Sequence, residues 1–120
     1  MAGRSSRNKG ANAERELADI IYYATGVKML RNLDQTRSGG HDLDGIDGLS
    51  IEVKRQEKLC LPAWWRQTLQ QAAECDNIPV LAYRQNRQSW QFIVGLDKIE
   101  LNKEKFIQWI QDYARMNQII

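Results

Sequence analysis

Residues 39–55 read GGHDLDGIDGLSIEVKR. Three aspartates, Asp42, Asp44 and Asp47, stand in a glycine-studded loop, and a short apolar strand follows with Glu52 and Lys54 set two residues apart. Successive side chains of an extended strand point to opposite faces, so Ile51 and Val53 share one face and Glu52 and Lys54 the other. With Ile51 and Val53 turned to the core, Glu52 and Lys54 lie side by side, within reach of an aspartate from the start of the hairpin. Two carboxylates that converge repel each other, and each resists ionising unless a cation lies between them. Hard oxygen donors so arranged suit a divalent metal. The same residues also fit a plain exposed ion pair, worth ~0–1 kcal/mol, with the Asp-Gly steps serving only a hairpin turn.

The chain has 120 residues, 42% of them hydrophobic, which suits a single domain with one core, residues 1–120. No apolar run approaches the ~20 residues that span a bilayer, and MAGRSSRNKG lacks the apolar centre of a signal peptide, so an intracellular, cytoplasmic protein is expected. Cys60 and Cys75 show no metal-binding spacing, and the single histidine, His41, gives little support to zinc sites or histidine triads. The net charge of +2 diagnoses nothing, but its distribution does. Arg4, Arg7 and Lys9 precede any acid, and Arg31 and Arg37 flank the loop that leads to Asp42. Basic groups placed locally can neutralise phosphates on a nearly neutral protein. The bland counterpart is a flexible, solvated N-terminal arm over residues 1–8.

From Asn8 or Lys9 to about Thr25 the pattern predicts a helix, with Leu17, Ala18, Ile21 and Ala24 as its apolar stripe and Gly26 as its stop. Glu14 falls on the stripe side, whereas Glu16 and Asp19 are expected to look outward. An inward carboxylate needs a partner, either a basic side chain or a metal site. Val27 to Leu33 reads as a first strand, and residues 42–44 and 49–55 as hairpin arms turning through Gly45 to Gly48. Pro62 suits a first helical turn, and that helix is expected to reach about Cys75 with Leu61, Trp65, Leu69, Ala72 and Ala73 buried. Ile78 to Tyr83 is a dense apolar run of the sheet-interior kind, and Trp90 to Val94 a strand after it. Asn102 caps a last helix with Phe106, Ile107, Ile110, Tyr113 and Ala114 as its stripe. The expected class is α/β, a mixed central sheet flanked by helices in the order α-β-β-β-α-β-β-α.

An aspartate, a short gap and Glu-x-Lys on a strand, after a helix bearing a glutamate, resembles the PD-(D/E)xK nuclease superfamily with its restriction-endonuclease-like core. The closer likeness is to archaeal-type Holliday junction resolvases and their phage-borne relatives. RNKGANAEREL looks like their opening helix, IEVK like their Glu-x-Lys strand, and IPVLAYR followed by SWQFI like their late strand pair. Gly40-His41 stand where those enzymes usually carry proline before the aspartate.

The resemblance implies a Mg²⁺-dependent endodeoxyribonuclease, with Mn²⁺ substituting. It places Glu14, Asp42, Glu52 and Lys54 in the catalytic set, with Asp42, Glu52, Glu14 and the carbonyl of Val53 about the metal. Arg4, Arg7, Lys9, Arg37 and Arg55 are the side chains expected to track the DNA backbone. It further implies branched or duplex DNA as substrate, a homodimer for paired cuts, and no membrane partner. Two other readings share the residues: a nicking, flap or restriction-type enzyme of the same fold, and a non-catalytic DNA-binding module.

Overall fold

In the computed structural model, the backbone is described for residues 2–33 and 41–120, and side chains from Gly10 onward. Arg37 lies outside the described residues, as do the side chains of Arg4, Arg7 and Lys9.

The first helix, α1 (Ala2–Thr25), starts several residues before the expected Asn8 or Lys9. No proline interrupts that stretch, so the backbone expected as a flexible arm continues the helix from Ala2. Leu17 and Ile21 are fully buried on its inner face. Gly26, at a φ of 76°, ends it by donating its N–H to the Tyr22 carbonyl at 2.7 Å.

Six strands then form one sheet in chain order: β1 (Leu30–Arg31), β2 (Leu43–Asp44), β3 (Leu49–Arg55), β4 (Ile78–Arg84), β5 (Gln91–Val94) and β6 (Ile99–Asn102). All neighbours are antiparallel except β3 and β4, which run parallel from Leu49↔Ile78 to Arg55↔Arg84. A parallel pair requires a crossover, and α2 (Leu61–Glu74) supplies it.

Three differences from the expected elements have physical reasons. The first strand shrinks from 27–33 to two residues, because Val27 is still tied to the end of α1 through the Thr25 hydroxyl (3.1 Å) and β1 has only the two-residue β2 beside it. The strand β6 is additional; it is an edge strand with three of four side chains exposed, so it carries no buried alternation. On α2 the buried set is Trp64, Trp65, Thr68 and Ala72, with Ala73 exposed, a stripe rotated slightly from the expected one.

The last helix, α3 (Lys103–Met116), is capped by the Asn102 side chain, which accepts from the Lys105 N–H at 2.8 Å. Helices α1 and α3 cover one face of the sheet around Ile51, Val80, Phe92 and Val94. On the other face α2 covers Leu81 and Ile93 with Trp64 and Trp65. Burial on both faces explains why β4 and β5 read as nearly continuous apolar runs. Among the described residues no helix is long and apolar enough to cross a membrane.

Candidate active site

The β2–β3 hairpin carries the site. Leu43 pairs with Ile51, and the Asp42 N–H donates to the Ile51 carbonyl at 2.8 Å, which sets Asp42 just ahead of the hairpin arm and alongside β3. Ile51 is fully buried in the core under α1, so the alternation of β3 turns Glu52 and Lys54 to the opposite face. There Lys54 Nζ lies 3.8 Å from Glu52 Oε1, with both side chains largely shielded from water. Asp42 is buried, and its Oδ2 accepts the Val53 N–H at 2.7 Å.

The carboxyls of Asp42 and Glu52 converge closely enough for each to act on the other's ionisation. Burial first, and the neighbouring charge of Asp42 next, push the Glu52 carboxyl from its ordinary 4.5 up to about 8; the ammonium of Lys54 pulls against this, and Glu14 adds to it. Burial beside a second carboxyl therefore favours the protonated form of Glu52. Glu14, on α1, is near enough to the pair for their charges to act on one another, and its Oε1 is held by Arg31 Nε at 3.0 Å. Burial and the charge of Asp42 raise its carboxyl too, against the pull of Arg31 and Arg15. Glu14 thus has a basic partner and also senses the Asp42–Glu52 pair.

Of the three hairpin aspartates only Asp42 is buried. Asp44 contacts the His41 ring at Nε2 and is half exposed. Asp47 sits exposed in the turn, where its carbonyl accepts the Tyr113 hydroxyl at 2.8 Å. Arg55, at the end of β3, is partly buried and reaches Asn86 Oδ1 at 3.4 Å.

Among the described residues no three His, Cys, Asp or Glu side chains are arranged to hold one ion. A Mg²⁺ ion needs less: it takes one or two carboxylates and keeps several waters. Asp42 and Glu52 meet that requirement. Because the N–H and C=O of one extended residue point to the same edge, the Val53 carbonyl also lies on the Asp42 side. The donor set is all oxygen, as a hard cation requires, and two buried carboxyls that resist each other's ionisation are a place where positive charge is favoured.

Over residues 5–119 the sequence matches the model of the family described as "Phage putative PDDEXK endonuclease". The chain belongs to this family. The nuclease is similar in fold to the 1.6 Å structure of Hjc, a Holliday junction resolvase from the archaeal hyperthermophile Archaeoglobus fulgidus. That likeness has a TM-score of 0.51 and 24% identity, over 70% of each chain. A search of curated proteins gave no match. The α/β core expected from the Glu-x-Lys strand and the late strand pair is thus the fold of a PD-(D/E)xK endonuclease.

Two partnerships have no signature in the sequence. Arg31, which the sequence offers only as a cation flanking the loop, holds Glu14 across 17 residues. Glu16, expected to look outward, binds Arg84 Nη1, and the same oxygen accepts the Trp90 indole N–H at 3.0 Å. Their partners lie 68 and 74 residues away, so helix periodicity held no trace of them.

Proposed function

We propose that this nuclease resolves four-way (Holliday) junctions by paired hydrolysis of DNA phosphodiesters with Mg²⁺. The observation that carries the chemistry is the buried Asp42–Glu52 carboxyl pair with Lys54 Nζ 3.8 Å from Glu52. The fold likeness to Hjc favours a branched substrate.

Asp42, Glu52 and the Val53 carbonyl would hold one or two Mg²⁺ ions, with Mn²⁺ able to substitute. When bound, the metal supplies an acidified water and offsets charge at the scissile phosphate. Lys54 stabilises the negative charge that grows on the phosphoryl oxygens, or positions the attacking water. Glu14, steadied by Arg31, orients water at the rim of the site. No side chain of the site has to form a covalent bond to the substrate.

Arg4, Arg7, Lys9, Arg37 and Arg55 would track phosphates, which gives selection by shape rather than by base sequence. Two opposed cuts require two sites in fixed relation, and a two-fold homodimer provides them. The cytoplasm suits two free cysteines and a DNA substrate.

The test mixes the purified protein with a synthetic four-way junction and with a linear duplex of the same sequence, with and without Mg²⁺. Symmetric paired cuts in the junction alone, dependent on the metal, are expected. Equal cutting of the linear duplex would reassign the enzyme to a nicking or restriction-type role. Failure to cut either DNA with Mg²⁺ or Mn²⁺ would leave a DNA-binding module.

A further inference from the structure

Asp42 is the only carboxylate of the pair that does not sit inside a strand. It directly precedes β2, so its backbone is held by its neighbours in the sheet and not by a strand of its own. Asn32, the residue directly after β1, provides two bonds there. Its backbone N–H donates to the Asp42 carbonyl at 2.8 Å, continuing the β1–β2 ladder by one step. Its side-chain Nδ2 donates to the His41 carbonyl at 2.9 Å. The peptide that enters Asp42 and the one that leaves it are therefore both gripped by one residue. Asn32 is buried, at 8% exposure, so water competes poorly for either bond.

The other contacts of Asp42 complete the arrangement. Its N–H is bound to Ile51 and its Oδ2 to the Val53 N–H, both on β3. The bond from β3 holds the N–H edge of the His41–Asp42 peptide and Asn32 holds its carbonyl edge, so the two together oppose a rotation that would turn the carboxyl away from Glu52. An asparagine side chain places an amide N–H where a backbone donor would otherwise be needed. Aspartate would turn lone pairs toward the His41 carbonyl, and leucine would offer no donor.

We propose that Asn32 is a positioning residue: by holding the His41 and Asp42 carbonyls it aims the Asp42 carboxylate at the site it shares with Glu52, and so sets the affinity for the divalent cation. This rests on the reading of Asp42 as a metal ligand. Hydrogen-bond partners behind a ligand typically change metal affinity by about 10–100-fold when removed.

The test is a direct Mn²⁺ titration of the full chain without DNA, followed by electron paramagnetic resonance. It compares wild type with Asn32→Ala, Asn32→Ser, Asp42→Asn and the core variant Ile110→Val. Ile110 is fully buried in the core formed with α3 and serves as a control for a general loss of stability. Serine keeps a polar group at the buried position but is too short to reach the His41 carbonyl, which guards against a poorly folded alanine variant. Both Asn32 variants are expected to bind Mn²⁺ about 10-fold more weakly, while Ile110→Val binds as wild type and the Asn32 and Ile110 variants bind junction DNA without metal as wild type does. If Asp42→Asn abolishes Mn²⁺ binding and the Asn32 variants leave it unchanged, the positioning role is overturned while the metal reading stands. If Ile110→Val weakens Mn²⁺ binding as much as the Asn32 variants do, Asn32 acts only through stability and the proposal falls. If Asp42→Asn binds Mn²⁺ as wild type, the metal reading fails and this inference with it.

Discussion

Glu52 is a carboxyl the fold holds protonated well above its ordinary range, and the consequence for stability has a definite sign. In the unfolded chain it ionises near 4.5; in the folded, metal-free protein it keeps its proton to about 8. Between those values the folded state binds more protons, so stability falls as pH rises through the window and levels off above it. Thermal melts without metal should show that slope, and Glu52→Gln should flatten it, with a gain on the order of 1–3 kcal/mol at pH 8. A Glu52→Gln variant with the wild-type slope would assign the pH dependence elsewhere. Mg²⁺ should restore stability most strongly at the alkaline end, because Glu52 must release its proton to bind the cation. Lys54→Ala is expected to slow cleavage by about 10²–10³-fold, the scale of removing one donor to a developing oxyanion, with the Mn²⁺ titration nearly unchanged; a matching loss of Mn²⁺ affinity would make Lys54 a structural partner of Glu52 instead. At this scale much was legible. The alternation of Ile51, Glu52, Val53 and Lys54 told which faces they share, because strand period is local. The Arg31–Glu14 bond and the Asn32 grip were not legible, since each joins residues that only the folded hairpin brings together.

Each element announced itself where its pattern was internal and went unseen where its neighbours define it. Helix α3 and its Asn102 cap, the α2 crossover with Pro62 in its first turn, and the dense run of β4 were all readable from period and turn chemistry. β6 is a strand only because β5 offers it hydrogen bonds, and β1 is short only because β2 is. The attachment of α1 to the sheet is equally non-local. Glu16 holds both Arg84 and the Trp90 indole, and the Arg84 guanidinium lies 5.9 Å from the Trp90 ring centroid. Glu16→Ala strands a buried indole N–H and a partly buried cation, so urea melts should show a loss of about 1–3 kcal/mol. A loss within about 0.5 kcal/mol, ordinary for surface changes, would mean the tie is idle. The hairpin turn has a second constraint. Gly48 has a φ of 88°, and a Cβ there would lie 2.2 Å from the Tyr113 hydroxyl that binds the Asp47 carbonyl. Gly48→Ala should therefore destabilise by about 1–3 kcal/mol, and Tyr113→Phe in the same chain should recover part of that loss by removing the clash. No recovery would place the cost in the backbone torsion alone.

For the molecule as a whole, the sheet is covered by α1 and α3 on one face and α2 on the other, and the site sits where the hairpin meets the long central strand β3. On the α3 side the rings of Phe92 and Phe106 stack with centroids 3.9 Å apart, tying the late strand pair to the last helix. The strand carrying Glu52 and Lys54 thus has β2 and β4 beside it and helices above and below. A rigid strand under a charged pair is what a preorganised site requires. Global topology was legible only through resemblance, because hydrophobic period does not order strands within a sheet. The central claim is that Asp42 and Glu52 serve chemistry rather than folding. The direct measurement is junction cleavage in Mg²⁺ by Asp42→Asn and Glu52→Gln, beside junction binding in the same samples without metal. The account predicts cutting reduced at least ~10³-fold with binding close to wild type. Wild-type cutting by either variant, or loss of binding and folding together with cutting, would contradict it.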